Sequence, residues 1–91
     1  MSELRRVRAV VRGRVQGVGF RASAQARARS LGLAGWVRNT LDGQLEAELE
    51  GPPDRVDSLL RWLEQGPRGA RVEGVSVERL EPTGGRGFSV R

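Results

Sequence analysis

Two stretches of this 91-residue chain alternate, residue by residue, between apolar and charged. In the first, Val7, Ala9, Val11 and Val15 interleave with Arg6, Arg8, Arg12 and Arg14. In the second, Leu45, Ala47 and Leu49 interleave with Glu46, Glu48 and Glu50. Successive side chains of a strand point to opposite faces, so a period of two marks a half-buried strand. Strands of this kind build a sheet with one apolar face, which helices must cover. The two charged faces are opposite in sign. Placed side by side, they pair across the strands at roughly 0.2–1 kcal/mol per pair.

The rest of the chain supplies the other elements. Phe20, Ala24, Ala28 and Leu31 form one helical stripe, and Gly32-Leu33 has the pattern of a Schellman end. Trp36 to Leu41 reads as a second strand and Gln44 to Glu50 as a third. Asp42-Gly43 between them predicts a two-residue type I′ hairpin. Pro53 suits the first position of a second helix, with Asp54 and Asp57 at its favourable dipole end and Val56, Leu59, Leu60 and Leu63 inward. Gly66-Pro67 ends it. Val72 to Leu80 reads as a fourth strand with Val75 and Val77 on one face. Gly84-Gly85 opens a turn, and Phe88 to Arg91 makes a short last strand. The order βαββαβ predicts an α+β ferredoxin-like sandwich. It is expected as a single domain over residues 1–91, with an antiparallel sheet, two helices on one face and the first and third strands adjacent.

Composition removes most chemistries. The chain has no Cys and no His, and all sixteen basic residues are Arg. A Ser-His triad, a thiolate nucleophile and a lysine Schiff base are therefore excluded. No carboxylates have metal-ligand spacing, and Glu46, Glu48 and Glu50 read as strand-surface charge. The N-terminus MSELRRVRAV is too charged for a signal peptide, and no apolar run approaches the length of a membrane span. A soluble cytoplasmic monomer is the expectation. Net charge is +5, but the basic first strand has acidic partners, so it does not read as a nucleic-acid footprint. An RNA-binding sheet would need aromatics on the first and third strands, and neither has one. The shortage of thermolabile residues fits a heat-adapted source; GC-rich coding explains the Arg excess equally well.

What remains is VQGVGFR, Val15 to Arg21, between the first strand and the first helix. No Ser, Thr, Asp or Asn stands there to cap the helix. Arg21 places a cation at the positive end of the helix dipole. Gly17 and Gly19 let successive N–H groups turn inward as a nest, and a helix start adds more. Arg21 contributes a planar fork of donors suited to phosphate. The loop lacks the Gly-Lys-Ser/Thr of a Walker A loop. Asn39, the only asparagine, is either a turn residue or a donor–acceptor able to hold a water.

These residues together resemble the acylphosphatase family. GRVQGVGFR (13–21) and GWVRNTLDGQLE (35–46) are similar to its two signatures, and GPRGARVEGV (66–75) to a weaker stretch before the fourth strand. The resemblance implies the same sandwich and hydrolysis of the carboxyl-phosphate anhydride of acyl phosphates, without metal or other cofactor. It implies that Arg21 binds the phosphate and Asn39 positions the attacking water. The backbone of Gln16, Gly17, Val18, Gly19 and Phe20 would cradle the phosphoryl oxygens. Gly19 stands where some relatives carry an aromatic, and Ala22 where bulkier residues are common. The partners implied are a small-molecule acyl phosphate and inorganic phosphate as product or inhibitor, with no nucleic acid and no membrane. The alternative is a non-catalytic phosphate-sensing or RNA-binding module on the same fold.

Overall fold

The structure is a computed structural model that describes residues 3–91. Met1 and Ser2, which begin the N-terminal stretch and the domain expected above, lie outside the described residues. Seven elements follow one another: β1 (Arg5–Arg14), α1 (Phe20–Ser30), β2 (Ala34–Asn39), β3 (Leu45–Gly51), α2 (Pro53–Leu63), β4 (Arg71–Leu80) and β5 (Phe88–Val90). The sheet order is β4-β1-β3-β2-β5, so β1 and β3 are neighbours as expected. The sheet is not wholly antiparallel. β5 runs parallel to β2, with Gly35, Trp36 and Val37 opposite Phe88, Ser89 and Val90. A strand that returns after β4 to the far edge can pair only with β2, and its direction there is set by the long Glu81–Gly87 connection.

The alternating residues sort as the period of two requires. Val7, Ala9, Val11 and Val15 of the first stretch and Leu45, Ala47 and Leu49 of the second are buried under the helices. They join Phe20, Ala24 and Ala28 of α1, Val56, Leu59 and Leu63 of α2, Val37 and Phe88 in one core. Val75 and Val77 share a face, but β4 is an edge strand, and Val77 stays exposed while Val75 is partly covered. α1 ends in a Schellman motif. The Leu33 N–H donates to the Ala28 carbonyl at 2.8 Å and the Gly32 N–H to the Arg29 carbonyl at 3.0 Å. Pro53 opens α2, where its missing N–H costs nothing.

The β2–β3 turn differs from the expected type I′ hairpin. β2 ends at Asn39 rather than Leu41. Type I′ needs positive φ at both central residues, yet only Gly43 has it, at 89°. The Thr40 N–H donates to the Gln44 carbonyl and the Gly43 N–H to the Thr40 carbonyl, at 2.9 and 3.3 Å. This is a three-residue loop, Leu41 to Gly43, closed by a left-handed glycine. The Thr40 hydroxyl stabilises it by accepting the Gln44 N–H at 3.0 Å and donating to the Asp42 carboxylate.

On the opposite face of the sheet, Arg6 reaches Glu48 through Nε and Nη2 at 2.9 and 2.6 Å, and Glu50 through Nη1 at 2.9 Å. Arg8 and Arg38 both hold Glu46. Arg12 and Arg14 do not join this set: Arg12 donates instead to Ser76 Oγ at 2.8 Å, and Arg14 lies past the bulge at Arg12/Gly13. The acidic side chains are not solvated strand-surface charge. Glu46 is 4% and Glu50 3% exposed. The β4–β5 connection folds over Glu50, whose carboxylate accepts the N–H groups of Thr83 and Gly84 at 2.8 and 2.7 Å. Burial by itself raises the pKa of Glu50. The Thr83 N–H, Arg6, the Gly84 N–H and the Thr83 hydroxyl outweigh it and hold the group at about 2, against an ordinary 4.5. Glu46 is likewise lowered: burial opposes it, and its bonds to Arg8 and Arg38 prevail.

A carboxylate with a depressed folded-state pKa stabilises the fold above its unfolded pKa and loses that contribution as pH falls through the folded value. The melting temperature should therefore drop between pH about 4.5 and about 2. Glu50→Gln should lower it at neutral pH and flatten this acid limb. Thermal melts of both proteins across pH 2–7 check the expectation; an equally steep limb in Glu50→Gln would assign it elsewhere.

Candidate active site

The sheet register brings the two sequence signatures together. Leu45 of β3 lies opposite Val11 of β1 on one side and Asn39 of β2 on the other. Adjacent strands lie about 4.8 Å apart, so the ladder holds Val11, near the end of β1, and Asn39 two strand spacings from each other. Directly opposite residues share a face. Val11 and Leu45 are fully buried, so Asn39 is on the helix-covered face, two residues beyond the buried Val37. A polar side chain occupies the last core-facing position of β2.

The loop from Val15 to Gly19 leads from β1 into α1 above that position. Gly17 and Gly19 have φ of 76° and 75°, a conformation that costs a side-chain-bearing residue roughly 1–2 kcal/mol. Gly19 takes the N-cap position, no side chain caps the helix, and its first turn contains no acid. Among the described residues, no acceptor takes the N–H groups of Gln16 through Ala22. Arg21 lies in the first turn and is exposed.

The cleft at this junction measures about 300 Å³ and is lined by Gly17, Gly19, Arg21 and Asn39, with Ala22, Gln25 and Val90 among its other walls. Arg21 and Asn39, far apart in the chain, therefore face one space. Asn39 Oδ1 is buried and has no hydrogen-bond partner among the described residues.

The remaining loop residues differ in what their side chains do. The Phe20 ring is buried and meets Trp62 edge-on, with centroids 5.4 Å apart, so only its backbone faces the junction. Val18 packs against the core. The Gln16 amide donates from Nε2 to the carbonyls of Thr40 and Gln44, each at 2.9 Å. Gln25 and Val90 line the cleft without having been singled out from the sequence. Val90 arrives only through the parallel pairing of β5 with β2, which no local pattern encodes. Gln25 lies one turn beyond Arg21 on α1, and its amide donates to the Phe88 carbonyl at 3.2 Å. Its spacing from Arg21 was the available signal.

A two-layer sandwich whose strand-to-helix junction combines free N–H groups, an arginine and a buried amide acceptor belongs to the class of small anion-handling α+β proteins. The family model described as Acylphosphatase matches residues 7–90. An acylphosphatase of Rubrobacter xylanophilus is 56% identical over 90 residues, covering 98% of this chain and 82% of its own. Among solved structures, the acylphosphatase of Coxiella burnetii superposes with a TM-score of 0.93 at 36% identity, over 97% of this chain and 93% of that one. That of Bacillus subtilis gives 0.91 at 38%, over 98% and 99%. The chain belongs to the acylphosphatase family, and its activity is hydrolysis of the carboxyl-phosphate bond of acyl phosphates.

Unpaired donors at the junction should make it the place where inorganic phosphate binds. Titrating phosphate into the ¹⁵N-labelled protein should shift the amide resonances of Gly17 to Ala22 and raise the melting temperature. Shifts confined to the Arg6–Glu50 face would place the anion on the wrong side of the sheet.

Proposed function

We propose that the phosphoryl group of the substrate sits in the β1–α1 loop, held by the N–H groups of Gln16, Gly17, Val18, Gly19, Phe20 and Arg21 and by the Arg21 guanidinium, while Asn39 positions the attacking water. The observation that carries this reading is the convergence of Arg21, the loop and Asn39 on one cleft, with Asn39 Oδ1 left unpartnered among the described residues. In the reaction, the water oxygen bonds to phosphorus and the bond to the acyl oxygen breaks. The electron pair leaves with the carboxylate, a good leaving group that requires no strong acid. The water's proton passes to the phosphate itself. Positioning and charge stabilisation therefore carry the catalysis. The loop amides and Arg21 face the equatorial oxygens, where charge is held in the transition state. The acyl group lies along the wall formed by Ala22 and the half-exposed Val90.

The same reading makes residues 1–91 a single domain that works as a monomer in the cytoplasm on a small-molecule acyl phosphate. It fits heat adaptation, and it involves neither nucleic acid nor membrane. Its support is the use of the basic residues Arg6, Arg8 and Arg38 in internal ion pairs rather than as a free stripe. Among the described residues, no helix is long and apolar enough to cross a membrane.

Two substitutions test the separate roles, with benzoyl phosphate as substrate. Arg21→Ala should abolish turnover and weaken inhibition by phosphate, since a charge-assisted pair contributes about 1.5–3 kcal/mol. Its melting temperature without ligand should not fall, because the cation–dipole conflict goes with it. Asn39→Ala should lower kcat roughly 10²–10³-fold and leave the phosphate inhibition constant nearly unchanged. A folded Arg21→Ala enzyme with ordinary turnover defeats the first assignment. A lowered melting temperature with full kcat in Asn39→Ala makes that residue a turn residue only.

A further inference from the structure

The Gln16 side chain is turned away from the phosphate cradle that its backbone helps to form. Its Nε2 donates to two carbonyl oxygens, those of Thr40 and Gln44, at 2.9 Å each. An amide nitrogen has two hydrogens, and both are used. Only the nitrogen can face two carbonyls, so the orientation of the amide is fixed by its partners. Each of those carbonyls already accepts one backbone bond: Thr40 O from the Gly43 N–H, and Gln44 O from the Thr40 N–H. Gln16 fills the remaining lone pair of each.

Thr40 and Gln44 are the two residues that close the β2–β3 turn, and Thr40 directly follows Asn39. The loop from Val15 to Gly19 and that turn belong to separate elements 24 and 28 residues apart along the chain. Gln16 is the hydrogen-bonded link between them. The ladder fixes their strands two spacings apart, but neither Gln16 nor Thr40 lies within a strand, so beyond the last ladder pairs Gln16 supplies the alignment.

We infer that Gln16 is a positioning residue: its side-chain amide clamps the phosphate-binding loop to the Asn39 turn and so sets the placement of the water relative to the phosphorus. This rests on the role of Asn39 proposed above and extends it to a residue whose side chain does not line the cleft. A clamp of this kind acts on the reaction rather than on ground-state phosphate binding, because Arg21 and the loop amides remain when it is removed. Misplacing a reacting group by about 1 Å costs up to roughly 100-fold in rate.

The test is a double-mutant cycle on the full chain with benzoyl phosphate, using Gln16→Ala, Gln16→Glu, Asn39→Ala and the Gln16→Ala/Asn39→Ala pair. Gln16→Glu is nearly isosteric but turns carboxylate oxygens toward two carbonyls, so it opens the clamp by repulsion without leaving a gap. Both Gln16 variants should lower kcat at least roughly tenfold while the phosphate inhibition constant changes less than about threefold. In the Asn39→Ala background, Gln16→Ala should reduce kcat less than about twofold further, since its effect passes through Asn39. A mere structural strut predicts the opposite split: a lower melting temperature with kcat preserved. Full kcat in both Gln16 variants, or a loss that multiplies undiminished with that of Asn39→Ala, overturns the clamp. Full kcat in Asn39→Ala alone overturns the reading of Asn39 on which the clamp rests, and the two failures are therefore told apart.

Discussion

The register of β3 is the constraint on which this molecule depends. One residue, Leu45, stands opposite Val11 on one side and Asn39 on the other. That pairing brings the end of β1, and hence the glycine loop and Arg21, alongside the only asparagine. A slip of one residue between β2 and β3 would turn Asn39 to the opposite face. Burial prevents it, because the same slip would expose Val37, which is fully buried. Burial of ordinary core residues thus sets the strand geometry beneath the cleft.

The same physics appears twice with different outcomes. At Thr83 and Gly84, backbone N–H groups converge on an anion that the chain supplies itself, the Glu50 carboxylate, with Arg6 as the accompanying cation. At Gly17 to Arg21 the donors and the cation converge again, but no acid is placed among them. The first nest is satisfied internally and fastens a loop. The second has no acceptor among the described residues, and a ligand anion there is what the proposed function requires.

Much of this was legible in the sequence where local chemistry decides it. The Schellman end at Gly32-Leu33, Pro53 at the start of α2 and the inward sets of β1 and β3 follow from neighbours a few residues apart. The uncapped start of α1 was legible as an omission. Three features were not. The turn after Asn39 is governed by the Thr40 hydroxyl and a single left-handed glycine, so the Asp42-Gly43 signal gave the right place and the wrong type. The burial of Glu50 depends on a loop more than thirty residues away. The parallel pairing of β5, which gives the cleft its Val90 wall, follows from topology and from no periodicity within three residues.

That parallel pairing also decides how the molecule can be handled. β5 runs alongside β2 toward Asn39, so Arg91 leaves the sheet beside the cleft, its N–H bonded to the Val37 carbonyl at 2.8 Å. β1 runs the same way but starts at the other end, where Arg5 faces Gly51. Anything joined after Arg91 emerges at the mouth of the cleft, next to Val90. The described N-terminal end of the chain lies at the far end of the sheet. The two ends of the fold are therefore not equivalent attachment points: a surface tether, a dye or a fused partner belongs on the N-terminal side.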